Sequence, residues 1–324
     1  MRLKILHHGN CFDGTASAAL FSRFLEARQA IGPADTAFVP LQHQQGDPFP
    51  PDAFDAEVNA VVDFRFSPSP RLDWWFDHHV SAFQPQSDRA VFEADASGKK
   101  FWDPKAPSNT GFMARTLKAR FGFEAPDLAE LVAWADVIDS ASFPSAAVAV
   151  RLEQPALRIM ALLEATQDPA LPRRVIEGFR SRPLAALAEE PWVKEPLGPV
   201  LERHRRAVEA FRAVARMDGR VVEADLSGSD VGASNKFIGY DLFPEARYTV
   251  VVTRDPKRSK VSVGSNPWAT TPRTHDIARL CERYGGGGHP VVGAVSLPPD
   301  RLDEARRVAG EIAAALRGPP EGAR

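Results

Sequence analysis

Metal-ligating side chains recur in this chain at the ends of apolar runs. They are His7-His8 with Cys11 and Asp13, Asp63 after Val58-Asn59-Ala60-Val61-Val62, Asp77-His78-His79 after an aromatic stretch, and Asp136 with Asp139. A parallel sheet lines up such strand ends along its carboxyl edge, where open α/β folds bind their ligands. His7, Cys11 and Asp13, at spacings of four and two, can be aimed at one point by a strand end and its loop. Asp63 is placed to bridge two cations, and His78 with one of Asp136 or Asp139, Asp136 slightly ahead, completes the second. Carboxylate with imidazole suits Mn²⁺ or a similar first-row ion better than an all-sulfur site. Two cations about 4 Å apart acidify a water between them and neutralise charge growing on a phosphoryl group, so the expected reaction is phosphoester hydrolysis. Asp77 is expected to orient a neighbouring imidazole, and His79 to contact substrate or protonate the leaving oxygen. Taken singly, Asp63 reads as a turn residue and the His-His pair as a strand end; the Asp-His-His triplet behind an aromatic strand favours the metal.

A further cluster, Gly285-Gly286-Gly287-Gly288-His289-Pro290, lies far downstream. Consecutive glycines are free to turn several N–H groups toward one anion, so Gly286, Gly287, Gly288 and His289 are the expected phosphate cradle, with a flexible turn as the plain alternative. Ser108, Asn109 and Thr110 stand at an expected helix start, where Asn109 is a second phosphate contact or simple N-capping applies. Lys257, Arg258 and Lys260 read mainly as solvated charge, and Cys281 as core filler.

These residues must be positioned by a chain of 324 residues with 44% apolar content, enough for two globular domains. A net charge of −2 excludes extended non-specific grip on long DNA but leaves small anionic substrates open. Two cysteines far apart form no disulfide framework and point to a reducing, cytoplasmic setting. No apolar run approaches the roughly 18 residues of a membrane span, so no membrane partner is expected.

The expected class is α/β. An N-terminal, doubly wound, mainly parallel sheet opens with a strand over 2–8 and a helix over 15–28, continues with strands ending at Asp63 and Asp77, and adds helices over 109–121 and 126–139. Pro155, Pro169, Pro172, Pro183 and Pro191 cut the segment 144–196 into short helices. An amphipathic helix over 197–217 links it to a smaller α/β domain with strands over 220–225, 248–253, 260–264 and 291–297 and helices over 274–283 and 302–317. The domain expectation is therefore 1–196 catalytic, 197–217 linker, 218–318 substrate-binding, and 319–324 a fraying tail.

With Asp77-His78-His79 and the glycine-rich His289 segment in place, the chain resembles the DHH phosphoesterases, whose C-terminal DHH-associated domain is shared by nano-RNase-type and RecJ-type enzymes. The resemblance implies a two-metal Mn²⁺-dependent hydrolase, with Co²⁺, Zn²⁺ or Mg²⁺ as alternative ions. By motif position it makes His7, Asp13, Asp63, His78 and one of Asp136 or Asp139 metal ligands, places His79 near substrate, and gives phosphate to Gly286–His289. The family usually has aspartate where this chain has Cys11, which implies weaker binding at one metal or a softer ion. Many nucleotide-cleaving relatives carry an arginine near Ser262, where this chain reads Val263-Gly264-Ser265-Asn266.

The leading expectation is hydrolysis of short nucleotides: oligoribonucleotides, linear dinucleotides or 3′-phosphoadenosine 5′-phosphate. A second is removal of terminal phosphate from polyphosphate along a basic channel of Arg203, Arg205, Arg206 and Arg212. A third is a sensing protein in which Cys11 has weakened one metal. The expected partner is a small phosphorylated molecule, with a homodimer as a further expectation.

Overall fold

A computed structural model describes residues 1–44, 46–231 and 235–319. The expected fraying of 319–324 lies, from residue 320 on, outside them. The described residues form two compact units, one within 1–143 with 152–197, the other within 144–151 with 198–319.

The chain begins β1 (Leu3–His8), α1 (Phe12–Gln29), β2 (Thr36–Leu41), β3 (Val58–Val62), β4 (Trp74–Asp77), α2 (Asp88–Glu93), β5 (Lys100–Trp102), α3 (Asn109–Phe121) and α4 (Ala129–Asp139). After α5 (Ala146–Arg151), which belongs to the second unit, come α6 (Pro155–Ala165), α7 (Leu171–Ser181) and α8 (Leu184–Ala188). Five parallel strands form one sheet in the order β2-β1-β3-β4-β5. Every residue of β3 and β4 is buried, as a strand covered on both faces requires.

Alternation along the strands sorts the aromatic core. Trp74 and Phe76 face Phe21 of α1, with Trp74 also against Phe24 and Phe121. On the opposite face Leu6, Val61 and Trp75 pack with Phe64, Phe66 and Phe83. Trp75 ties that layer to the strand end, because its indole Nε1 donates to the carbonyl of Phe64 at 2.9 Å. The register sets His7 beside Val62 and Val62 beside Phe76, so β1, β3 and β4 finish level at one edge. The strand order changes direction between β1 and β3, which is the switch point where such sheets open a crevice. Two strands of this sheet, β2 and β5, are not among the expected ones. β2 carries Pro40 and is only half covered, and β5 has three partly buried residues, so neither shows a strong periodicity.

The chain continues with α9 (Pro191–Val214), β6 (Arg216–Asp218), β7 (Val221–Asp225), α10 (Ile238–Leu242), β8 (Tyr248–Asp255), β9 (Arg258–Ser265), α11 (Ile277–Glu282), β10 (Gly287–His289), β11 (Val292–Leu297) and α12 (Leu302–Arg317). The second sheet runs β10-β11-β9-β8-β7-β6, with only β7 and β8 parallel. Tyr248, Val250 and Val252 alternate onto the face covered by Val308, Ile312 and Leu316 of α12. Among the described residues no helix is long and apolar enough to cross a membrane.

Replacing Trp75 with Phe removes buried ring volume and leaves the Phe64 carbonyl without its donor, so unit 1 should lose about 2–4 kcal/mol. Urea unfolding followed by far-UV circular dichroism measures this, and an unchanged midpoint would contradict the anchoring role.

Candidate metal centre

Asp63 leaves β3 with φ +55°, a left-handed conformation in which its N–H still donates to the Phe76 carbonyl at 2.9 Å. Asp tolerates that region better than most residues. The turn holds the carboxylate fully buried at the sheet edge, where neither oxygen has a hydrogen-bond partner. Histidines surround it: His8 Nδ1 lies 3.5 Å from Oδ2, while His78 Nε2 and His79 Nδ1 lie 3.6 and 3.9 Å from Oδ1.

Asp13, in the first turn of α1, faces the N-terminus of α3. Its Oδ2 accepts from the Asn109 N–H at 2.7 Å, and its Oδ1 from the Thr110 N–H at 2.9 Å and the Thr110 hydroxyl at 2.5 Å. Free amides at a helix start are a natural anion seat, and here a carboxylate of the same chain occupies it. Asn109, the expected phosphate contact, is fully buried here, and its side-chain amide donates to Ser17 Oγ at 2.9 Å. Gly14 lets α1 approach β1, since a Cβ there would stand 2.3 Å from the His8 carbonyl oxygen.

The Asp-His-His segment supports itself. Asp77 Oδ1 accepts from the His78 N–H at 2.8 Å and lies 2.7 Å from His79 Nδ1, orienting that ring. His78 Nδ1 meets the Ala106 carbonyl at 3.0 Å, which makes it the protonated nitrogen and leaves the Nε2 lone pair facing Asp139 Oδ2 at 3.2 Å and Asp13 Oδ2 at 3.8 Å.

Of the two aspartates on α4, Asp139 reaches the cluster. Asp136, placed ahead in the sequence reading, is turned elsewhere. Its Oδ1 accepts from the Ser108 hydroxyl at 2.5 Å, and its Oδ2 lies 3.6 Å from Arg115. Ser108 in turn caps α3 by accepting from the Gly111 N–H at 2.9 Å.

Burial and neighbouring charges shift several of these groups. Burial first, then the neighbouring Asp13, Asp139 and Asp77 charges, hold the Asp63 carboxyl well above the usual carboxylate range. Burial lifts Asp139 to about 6 and pushes the Cys11 thiol up, and it brings His7 and His8 down to about 4. For His79 burial is the largest influence and opposes the charge, but the hydrogen bond to Asp77 together with the Asp77, Asp139 and Asp13 charges makes the net shift upward.

Single donor atoms of His8, Cys11 and Asp63 lie within 4.8 Å of one another, as do those of Asp63, His78 and His79, and of Asp13, His78 and Asp139. Donors about one first-row ion stand about 2.0–2.3 Å from it, hence up to about 4.6 Å apart. A fourth group joins His8 and His79 to His43. His7 is a ligand expected from the sequence, and His8 and His43 are not. His7 is fully buried with its Nδ1 against the His8 carbonyl and its Nε2 unpartnered, yet it enters none of these groups. Strand phase carries the missed signal: His8 follows Leu6 on the face of Val61 and Trp75, and His7 takes the opposite one. His43 follows β2 without any pattern to single it out.

The glycine segment also differs from expectation. Gly287–His289 is a strand paired with β11, and the Gly285 and Gly286 amides donate to the Glu282 and Cys281 carbonyls. Those two amides are therefore engaged within the chain. Close backbone approach accounts for two of the glycines, because a Cβ at Gly286 or Gly288 would stand 2.2 Å from the carbonyl oxygen of Ala294 or Val292. His289 is exposed.

No protein-family model matches the sequence, and no curated protein matches it. Solved structures do. A pGpG-specific phosphodiesterase, PggH, from Vibrio cholerae aligns with a TM-score of 0.68 at 20% identity, over 97% of this chain and 99% of that one. An exopolyphosphatase-related protein from Bacteroides fragilis aligns with a TM-score of 0.51 at 13% identity, over 98% and 94%. The DHH domain of a protein from a family of ribosomal proteins gives 0.50 at 12% identity, over 97% and 86%. At these identities the likeness concerns architecture, and the chain shares the fold of these proteins, a DHH domain among them.

Proposed function

We propose that unit 1 holds two divalent cations and hydrolyses a phosphodiester bond in a short nucleotide. The observation that carries this is the Asp63 carboxylate, fully buried between two donor sets with no hydrogen-bond donor on either oxygen. A buried charge left unpaired costs several kcal/mol, and a cation on each side relieves that cost.

The donor sets fit such ions. Asp13, Asp139 and His78 form a harder set and His8 with Cys11 a softer one, with Asp63 between them. His7 keeps a place as a reserve donor through its unpartnered Nε2. A bound pair of cations supplies charge neutralisation at the phosphoryl group and lowers the pKa of a water held there. The chain's own residues do the rest. The α3 amides and Thr110 fix Asp13, the Ala106 carbonyl fixes His78, and Asp77 turns the His79 ring and favours its protonated form. His79 is then the donor of a proton to the leaving oxygen.

The pGpG phosphodiesterase among the similar structures supports a dinucleotide substrate, and Mn²⁺ is the proposed first choice of ion. The polyphosphate reading is weakened by its own arginines: Arg205 pairs with Glu202 and Glu209, and Arg206 with Asp230, which neutralises half of the expected basic channel. The exposed His289 with Gly287 and Gly288 remains a proposed phosphate contact of the substrate-binding domain.

Asp63→Asn should reduce Mn²⁺-dependent hydrolysis of a linear dinucleotide at least about 100-fold, while raising metal-free stability by about 1 kcal/mol through loss of the unpaired charge. Thermal melts in EDTA and with Mn²⁺ check both halves: the mutant should melt higher without metal and gain little from it. A mutant that melts lower in EDTA and keeps turnover would remove the bridging role. Asp139→Ala should lose activity to a similar extent, whereas Asp136→Ala should keep most of it and lose about 1 kcal/mol of stability with its Ser108 contact. Steady-state rates and urea midpoints for the pair decide between them; the reverse pattern would restore Asp136 as ligand.

A further inference from the structure

Beside the cluster lies a cavity of about 300 Å³ whose lining includes His43, Gln44, Phe64, His79, Ser81 and Gln84. Nothing in the metal chemistry uses most of these residues. We infer that this pocket seats a nucleobase of the substrate, an inference that rests on the hydrolase reading above and assigns its specificity. The floor is an aromatic stack, with the His43 ring lying on Phe64 at 4.8 Å and 19° between planes. Such platforms take bases of any sequence by stacking.

The rim carries neutral donors and acceptors suited to a base edge. Gln84 meets Arg65 only through Oε1, at 3.5 Å, which leaves its NH₂ group for a ligand, and Ser81 is exposed. Arg65 also lines the pocket, and its Nε has no partner within the chain. One of its terminal nitrogens donates to the Gly46 carbonyl at 2.7 Å and lies 3.9 Å from Asp47. Position agrees with composition. His43 stands 4.7 Å, centroid to centroid, from His8, and His79 is both a wall of the pocket and 3.9 Å from Asp63. A base held here therefore keeps its phosphate next to the reacting groups.

The test is equilibrium titration of the full chain, with Mn²⁺ present, by guanosine monophosphate, adenosine monophosphate and ribose phosphate. The pocket predicts that at least one nucleotide binds about tenfold more tightly than ribose phosphate. That ratio should fall toward one in His43→Ala and in Gln84→Ala. A ratio compares two ligands on one protein sample, so partial misfolding of a variant does not imitate the effect. Equal affinities in the wild type, or a ratio untouched in both variants, would overturn the inference. Loss of one bound metal equivalent from His43→Ala, with no nucleotide preference in the wild type, would also overturn it by giving the three imidazoles to an ion. Hydrolysis of methyl p-nitrophenyl phosphate, a diester without a base, is measured in parallel. Turnover there without nucleotide preference removes the base pocket and keeps the hydrolase; preference without turnover does the opposite.

Discussion

A carboxylate held out of water without a donor is unstable unless something positive comes to it, and the first unit is built around such a group. Asp63 sits at the end of a fully buried strand, in a left-handed turn, with acidic side chains among its nearest neighbours. Packing keeps it there. The strands on either side are clamped by aromatic layers above and below the sheet, so the group cannot swing out to solvent without dismantling the core.

The rest of the centre follows from that constraint. Level strand ends at the β1 and β3 switch point bring His8, Asp63 and the Asp77-His78-His79 segment to one edge. Supporting contacts then decide which atoms face inward. Backbone amides of α3 fix Asp13, a carbonyl fixes His78, and a buried carboxylate fixes His79. His78 Nε2 and both Asp63 oxygens are thus left without a hydrogen-bond partner, which is the arrangement a cation needs and a hydrogen-bonded core does not.

Much of this was legible in the sequence because it rests on periodicity. The buried runs before Asp63 and Asp77 announce central strands, and the aromatic run makes the triplet behind it hard to read as a loop. What was not legible depends on phase and on partners. Whether His7 or His8 joins the cluster turns on which face of β1 is occupied by Leu6, a matter of one residue. Asp136 and Asp139 look equivalent on a helix until Ser108 takes the first. Asn109 reads as a ligand contact until the α3 amides are seen to meet Asp13. Four glycines suggest an open loop, yet two of them allow a strand to pass close to β11. Short-range composition carries no information about such tertiary partners.

The proposed function requires Asp63 to stand between two cations. Anomalous diffraction from a crystal grown with Mn²⁺ tests it most directly. The account predicts two peaks about 4 Å apart, one against Asp13, His78 and Asp139, the other on the side of His8 and Cys11, with Asp63 touching both. A single peak remote from Asp63, or no peak at a saturating metal concentration, would contradict it.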